Sequence, residues 1–98
     1  MAEEFVEVDP AELRLPGSRT HGPDPYKLYL QIARYGAAID GMPPLTVNLA
    51  KDGVYEVIDG VTRATRIARL APGRKLVAVI AERLKGPRNH LRRVGDLK

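Results

Sequence analysis

The chain has 98 residues and a net charge of +4; 44% of its residues are hydrophobic and 29% are charged. These proportions are typical of one globular domain with a small core, not of a disordered chain. Cysteine is absent, which excludes disulfides, thiolate metal sites and thiol nucleophiles. No apolar run approaches the roughly 18 residues of a membrane span. We therefore expect a cytoplasmic protein with no membrane contact, with export by a route that reads no N-terminal signal left open.

The first part of the chain predicts a strand, an irregular loop and a helix. Alternating apolar and polar residues predict a short strand over 5–8, and three prolines and two glycines predict a loop over 14–25. Asp24 can cap a helix that begins at Pro25, and Gly36 can end it. We expect half-buried packing positions, not platforms for stacking bases, for the tyrosines of this helix, which are Tyr26, Tyr29 and Tyr35.

The rest of the chain predicts a hairpin, a second helix and a buried strand. In chain order we expect a strand over 45–49, an Asp-Gly turn at 51–53, a strand over 54–58, a helix over 61–71, a strand over 76–80 and a short helix over 87–94. This order predicts a small α+β domain with a mixed sheet and about three helices. We assign the domain to residues 1–82 and a basic C-terminal tail or short helix to residues 83–98.

The charges are unevenly distributed along the chain. Residues 83–98 hold six bases and one acid, whereas residues 1–12 hold five acids and no base. Such a tail can contact nucleic-acid phosphates or an acidic partner, and its candidate contacts are Arg88, Arg92 and Arg93. A solvated chain end accounts for the same pattern, and the two oppositely charged ends could also meet in a homodimer or on a protein partner.

The segment 57–66 carries the most specific chemistry in the sequence. It joins the end of a strand, an Asp-Gly corner and the start of a helix, whose first N–H groups and dipole attract anions. Gly60 leaves room for the anion, Thr62 adds a hydroxyl, and Arg63 adds a guanidinium that can bond two phosphate oxygens. The pattern predicts a phosphate site, although Asp59 at such a corner can equally be only a cap or turn residue.

Three further residues extend this candidate site. Asp59 could bind Mg²⁺ or act as a general base. His21 could act as a general acid or base, because an imidazole titrates near neutral pH; a solvent-exposed histidine is the alternative. Arg66 follows Arg63 by three residues on the helix and could widen the phosphate-binding surface.

These residues resemble the ParB/sulfiredoxin fold family, which includes the N-terminal domain of the chromosome-partition protein ParB, sulfiredoxin and a serine kinase. Members carry a strand, an Asp-Gly or Gly-Gly corner, two variable residues, an arginine and a helix, as residues 57–66 do. Residues 43–47 are similar to the family's Pro-Leu-x-Val strand, and 28–36 and 76–80 to its preceding helix and closing strand. The resemblance covers roughly residues 5–82.

The resemblance implies a domain that binds a nucleoside triphosphate, with Mg²⁺, or acts on phosphate esters as some nuclease-like relatives do. It implies that Gly60 is the glycine of close approach and Arg63 the phosphate-binding arginine. A looser match places Arg19 in the region of ParB's first arginine-rich box. It also places Glu12 near an acid of the kinase, which makes Glu12 a third candidate catalytic residue beside Asp59 and His21. The phosphate-binding residues expected at the corner are then Gly60, Val61, Thr62, Arg63, Arg66 and Arg19.

The positions at which this sequence departs from the family pattern exclude some of the family's functions. Val61 stands where sulfiredoxin has its reactive cysteine, which excludes sulfiredoxin activity, and Thr62 stands where the relatives have histidine or arginine. ParB continues into a helix-turn-helix domain, so we expect no complete partition protein. One hypothesis is an enzyme acting on nucleotides or nucleic-acid phosphodiesters, nuclease-like or phosphotransferring. The other is a non-catalytic nucleotide- or DNA-backbone-binding module, or a toxin/antitoxin-like interaction domain.

Overall fold

The computed structural model describes residues 3–97 and shows a small α+β domain with a mixed sheet, as predicted. The strands are β1 (Glu4–Val8), β2 (Leu45–Leu49), β3 (Tyr55–Asp59) and β4 (Leu76–Arg83), and the helices are α1 (Pro25–Tyr35) and α2 (Val61–Leu70). Three 3₁₀ turns lie at Pro10–Glu12, Gly17–Arg19 and Val94–Asp96. Within residues 3–97, no helix has the length and apolar character needed to cross a membrane.

The sheet has the strand order β1-β4-β2-β3. The central strands β2 and β4 are parallel, and the outer strands β1 and β3 run antiparallel to their neighbours. Irregular chain continues the hydrogen bonding beyond β3: the Arg14 N–H donates to the Tyr55 carbonyl at 2.8 Å, and the Leu15 N–H donates to the Arg92 carbonyl at 2.8 Å. The β3 edge is therefore covered by two segments that the sequence predicted only as a loop and a tail.

The core fills the space between the sheet and α2. Apolar residues of α2 recur every three or four positions, which places one side of the helix on the sheet. The buried residues of this cluster on the sheet and α2 are Val8, Leu45, Val47, Val57, Val61, Ala64, Ile67, Leu76 and Ala78. Leu13, Leu15 and Val94 join the same cluster from irregular segments.

Helix α1 begins and ends where its sequence predicts. The Asp24 carboxylate accepts a hydrogen bond from the Tyr26 N–H at 2.8 Å, and Gly36 ends the helix with a φ of +55°. Leu28 is the one buried residue of this helix, so α1 contacts the domain along a narrow stripe. The expectation of half-buried tyrosines is wrong for Tyr26 and Tyr29, which are 68% and 66% exposed.

Residues 84–97 return across the domain. The Val94 N–H donates to the Leu13 carbonyl at 2.8 Å, and the Val94 side chain is only 2% exposed. The short helix expected over 87–94 is wrong, because this segment is irregular and only a 3₁₀ turn follows it. The Arg92 carbonyl and the Val94 N–H form hydrogen bonds with Leu15 and Leu13. These two groups are therefore not available for the internal hydrogen bonds of a helix.

The packing of α2 on the sheet predicts a large difference between two isoleucines. We expect Ile67→Ala, at a fully buried position, to lower the free energy of unfolding by about 2–5 kcal/mol, because it leaves a cavity. Ile58→Ala is the matched control, since Ile58 is 47% exposed on β3, and we expect it to lose about 1 kcal/mol or less. Urea denaturation measures both values, and equal losses would contradict this description of the core.

Candidate functional site

The corner between β3 and α2 is built around Gly60. Its φ of +105° lies in the left-handed region that favours glycine, and a Cβ added here would lie 2.5 Å from Cδ2 of Leu45. Gly60 is also the N-cap of α2, and it has no side chain that could accept from the first N–H groups of the helix. The N–H groups of Val61 and Thr62 therefore have no capping side chain. An anion site at this corner requires N–H groups that are uncapped in this way.

Arg63 folds back over the corner from the first turn of α2. Its Nη1 donates to the Pro43 carbonyl at 2.7 Å, and its Nη2 lies 3.4 Å from Oδ2 of Asp59. The Asp59 side chain is 77% exposed, whereas that of Arg63 is 17% exposed. Asp59 therefore pairs with Arg63 and does not cap the helix, and Arg63 ties the start of β2 to the start of α2.

Arg66 is the most deeply buried charged residue in the described part of the chain, with 2% exposure. Its Nη1 donates to the Gly36 carbonyl at 2.6 Å and to the Ala38 carbonyl at 2.9 Å, and its guanidinium lies 5.4 Å from the centroid of the Tyr35 ring. Burial lowers the pKa of Arg66, and Tyr35 partly opposes that effect. Its Nε is buried and has no hydrogen-bond partner among residues 3–97.

A cavity of about 250 Å³ lies beside the two arginines, between the end of α1, the segment that follows it and α2. We call it the helix cavity. Its polar and aromatic lining residues are Gln31, Tyr35, Asp40, Arg63 and Arg66. The Gln31 Oε1 is buried and, within the described chain, has no hydrogen-bond partner. The helix cavity thus combines two guanidinium groups, one of them with an unpartnered buried Nε donor, and the amide oxygen of Gln31, an unpartnered acceptor.

Gln31, Tyr35 and Asp40 carry no recognisable motif in the sequence. Gln31 and Tyr35 are four residues apart, so they share one side of α1. That spacing does not reveal which side of α1 faces α2, because only the packing of the two helices decides it. The sequence therefore pointed to Arg63 and Arg66 and left the opposite wall of the helix cavity unassigned.

The other candidate residues lie elsewhere. His21 is exposed and lines a second cavity together with Arg69, in the last turn of α2. Glu12 lines a third cavity and lies 3.4 Å from Arg93. Arg19 is exposed in a 3₁₀ turn. Of the three proposed catalytic residues, Asp59 alone is in contact with Arg63.

The candidate metal ligands are sparse. Among residues 3–97, no group of three or more histidine, aspartate or glutamate side chains is placed to hold a metal ion. Asp59 contributes one exposed carboxylate at the corner. One carboxylate fits a Mg²⁺ ion that takes its remaining ligands from phosphates and water, which is the usual arrangement for nucleotide-bound magnesium.

Two of the three tail arginines, Arg88 and Arg93, pair with carboxylates, of which Glu56 lies in the domain and Asp96 in the tail itself. Arg88 lies 3.5 Å from Glu56, and Arg93 lies 3.0 Å from Asp96. The Arg92 Nη2 donates to the Asp96 carbonyl at 3.3 Å. These carboxylates offset much of the positive charge that the sequence assigned to nucleic-acid contact. Arg66 differs from these tail arginines, since its partners are neutral carbonyl groups and a tyrosine ring.

Comparison of the chain with protein-family models, with curated proteins and with solved structures found no match.

The geometry of the corner predicts unequal effects of two glycine substitutions. We expect Gly60→Ala to lower the free energy of unfolding by about 2–4 kcal/mol, because it adds a close contact with Leu45 to the strain of a positive φ. Gly53→Ala is the matched control: its φ is +86° and no atom beyond its two chain neighbours lies within 4 Å of the added Cβ, so about 1–2 kcal/mol of strain is expected. Thermal and urea unfolding distinguish the two variants. An equal loss in the free energy of unfolding would show that the corner tolerates a side chain.

The tail pairing predicts a pH-dependent stability. The side-chain hydrogen bond from Arg93 holds the pKa of Asp96 below its usual value. The stabilisation is therefore complete above the ordinary aspartate pKa of about 4 and is lost as pH falls through the lower pKa of the folded state. We expect wild type to exceed Asp96→Asn in urea midpoint at neutral pH, with the gap closing in acid. A gap that is the same at both pH values would contradict this assignment.

Proposed function

We propose that this domain binds the phosphate group of a nucleotide or nucleic acid in the helix cavity, with Arg63 and Arg66 as its cationic ligands. The observation that carries the proposal is the environment of Arg66. This guanidinium is buried, its contacts are carbonyl oxygens and a tyrosine ring, and its Nε faces no acceptor among residues 3–97.

A buried cation without an anionic partner is costly, because it loses hydration and gains little Coulomb energy in return. Carbonyl dipoles offset part of that cost at Arg66. An anion in the adjacent helix cavity would offset the rest and would accept from the remaining guanidinium donors. Phosphate suits this environment because its oxygens can accept from the donors of a guanidinium two at a time.

The corner at Gly60 supports the same ligand. Arg63 belongs both to this corner and to the helix cavity, so a phosphate bound by its guanidinium would lie close to the uncapped start of α2. The N–H groups of Val61 and Thr62, the Thr62 hydroxyl and the helix dipole are each suited to an anion there.

Binding is better supported than catalysis, because His21 and Glu12 line other cavities than the one that contains Arg63. A nuclease-like or phosphotransfer activity is the second proposal, and the exposed Asp59 carboxylate 3.4 Å from Arg63 is the observation that favours it. Asp59 would hold Mg²⁺ on the phosphates or accept a proton from the attacking group. In that reaction Arg63 would stabilise the charge that develops on the phosphate.

Membership of the ParB/sulfiredoxin fold family remains a proposal as well. It is supported by the chain order of a helix, the 45–49 strand, an Asp-Gly corner and a helix that begins at Val61, followed by a closing strand at Leu76. The helix cavity does not depend on that relationship, because its ligands are argued from Arg63 and Arg66 directly.

The binding proposal predicts that Arg63→Gln weakens the binding of inorganic triphosphate, ATP, CTP or GTP by about tenfold or more. The reason is the loss of a charge-assisted hydrogen bond worth about 1.5–3 kcal/mol. Isothermal titration calorimetry in the presence of Mg²⁺ measures the change. Arg66→Lys is the second variant, because it keeps the buried charge and removes the forked donors.

Arg83→Gln is the matched control for these titrations. It removes the same charge from β4, where Arg83 lies 2.6 Å from Glu4, and we expect unchanged binding. If none of the four ligands gives a measurable heat of binding with the folded wild-type protein, the binding proposal is overturned. Assays of released phosphate on the same samples, with Asp59→Asn alongside, test the second proposal, and bound nucleotide without turnover contradicts it.

A further inference from the structure

The outer side of α1 carries a second apolar stripe. Tyr26, Leu30 and Ala33 are spaced at i, i+4 and i+7, so they lie on one side of the helix over about 10 Å of its axis. Leu28, which packs into the domain, lies on the opposite side, because each residue turns the helix by about 100°. Tyr26 is 68% exposed, Leu30 is 46% exposed, and Ala33 is exposed as well. We call Tyr26, Leu30 and Ala33 the outer stripe.

The fold of a single domain does not explain the outer stripe. A surface helix of a globular protein ordinarily has one apolar stripe, which faces the core, and polar residues on its other side. Helix α1 buries Leu28 against the domain and still presents Tyr26 and Leu30 to solvent. An exposed apolar surface on a helix is typical of a contact with a partner.

The second cavity, which His21 and Arg69 line, continues the outer stripe on one side. Its volume is about 340 Å³, and Tyr29, which is 66% exposed, also lines it. Tyr29 lies beside the outer stripe, since it is three residues from Tyr26 and four from Ala33. The remaining lining residues are apolar, namely Pro23, Pro25, Leu28, Ile32 and Leu97. An apolar side chain of a partner that lies on the outer stripe can therefore enter this cavity.

Positive charge borders the outer stripe on the other side. Lys27 and Arg34 are seven residues apart, so they share one side of α1, and both are exposed. The segment Pro25–Tyr35 contains no acidic residue. The Arg34 guanidinium lies 5.3 Å from the centroid of the Tyr35 ring, a contact that adds no negative charge. Among residues 3–97, no carboxylate forms an ion pair with Lys27 or Arg34. This border favours a partner that has acidic residues beside its apolar ones.

We propose that α1 docks an amphipathic helix of a partner protein, whose apolar stripe is flanked by acidic residues. The apolar residues of the partner pack on the outer stripe and enter the second cavity beside Tyr29, and its acidic residues lie along Lys27 and Arg34. The small side chain of Ala33 lets a second helix approach closely, and apolar anchors at helical spacing are the usual contacts of a bound amphipathic helix. This inference does not rest on the phosphate site, because no residue of the outer stripe lines the helix cavity.

Two other occupants fit this surface less well. In an antiparallel pair with a second copy of this chain, a two-fold axis would place Lys27 and Arg34 of both copies on the same side, where like charges repel. A parallel pair would align the two helix dipoles. An anionic membrane would meet the bases and the outer stripe but would leave the second cavity unfilled, because lipid headgroups present no apolar side chain to it.

The test is fluorescence anisotropy with the full chain and two labelled peptides of about 20 residues, long enough to form an isolated helix. Both have leucine at every third or fourth position, and the flanking residues are glutamate in one peptide and lysine in the other. We expect the glutamate peptide to bind, and to bind more weakly as the salt concentration rises. The lysine peptide should bind at least about tenfold more weakly.

Two variants locate the contact. We expect Tyr29→Gln and Leu30→Gln each to weaken binding of the glutamate peptide by about tenfold or more, because each removes an apolar anchor. Glutamine favours helix, so circular dichroism should show that both variants keep α1. Phe5→Thr is the matched control, since it removes a ring that is 54% exposed on β1, and it should bind the peptide as wild type does.

The inference is overturned if the glutamate peptide does not bind wild type, if the two peptides bind equally, or if either glutamine variant keeps wild-type affinity. Analytical ultracentrifugation tests the second copy: a dimer that Leu30→Gln dissociates would identify this chain itself as the occupant and overturn the inference. Sedimentation with phosphatidylserine vesicles tests the membrane in the same way, and vesicle binding that Leu30→Gln abolishes would overturn it as well.

Discussion

The contact between Arg66 and the end of α1 is the interaction on which the organisation of the helical layer depends. The last carbonyl groups of a helix have no partner within it and lie at the negative end of its dipole. Arg66 donates to two carbonyls at this point, Gly36 and Ala38, so one buried guanidinium joins the end of α1 to the middle of α2. Leu28 is the one fully buried residue of α1, so this polar contact adds a second point of attachment between α1 and α2.

The same contact creates the helix cavity. Arg66 holds the chain after Gly36 against α2, and Arg63 holds the Pro43 carbonyl at the start of β2. The segment between these two anchors spans the gap and encloses the cavity without filling it. The two arginines therefore act as structural connections, and the donors that remain on them are the basis of the proposed anion site.

The distribution of charge separates the two basic regions of the sequence. In the tail, Arg88 and Arg93 meet Glu56 and Asp96, so they stabilise the return of the chain across the domain. In the helical layer, Arg66 has neutral partners, and its positive charge is not offset by a carboxylate in the described chain. Arginines that are equally dense in the sequence therefore have carboxylate partners in the tail, whereas Arg66 in α2 has neutral ones.

The helices and strands could be predicted from the sequence because each depends on residues that lie close together in the chain. Asp24 and Gly36 bound α1, the Asp-Gly turn sets the hairpin, and the apolar run at Leu76 predicts a strand. The burial expected for that strand is wrong for Val77, which is 48% exposed. The sequence indicated only that Gly60 leaves room for an anion, whereas its φ of +105° and the closeness of Leu45 depend on the fold.

The tertiary structure decided which residues share a surface. His21, Glu12 and Asp59 are comparable candidates in the sequence, but the packing of α1 and of the N-terminal loop places them beside different cavities or on an exposed corner. It also brought Tyr35 to Arg66 and Val94 into the core, across gaps of 31 and more residues. Neither contact leaves a periodic signal along the chain, because each depends on how separate elements pack and not on the local preferences of the residues involved.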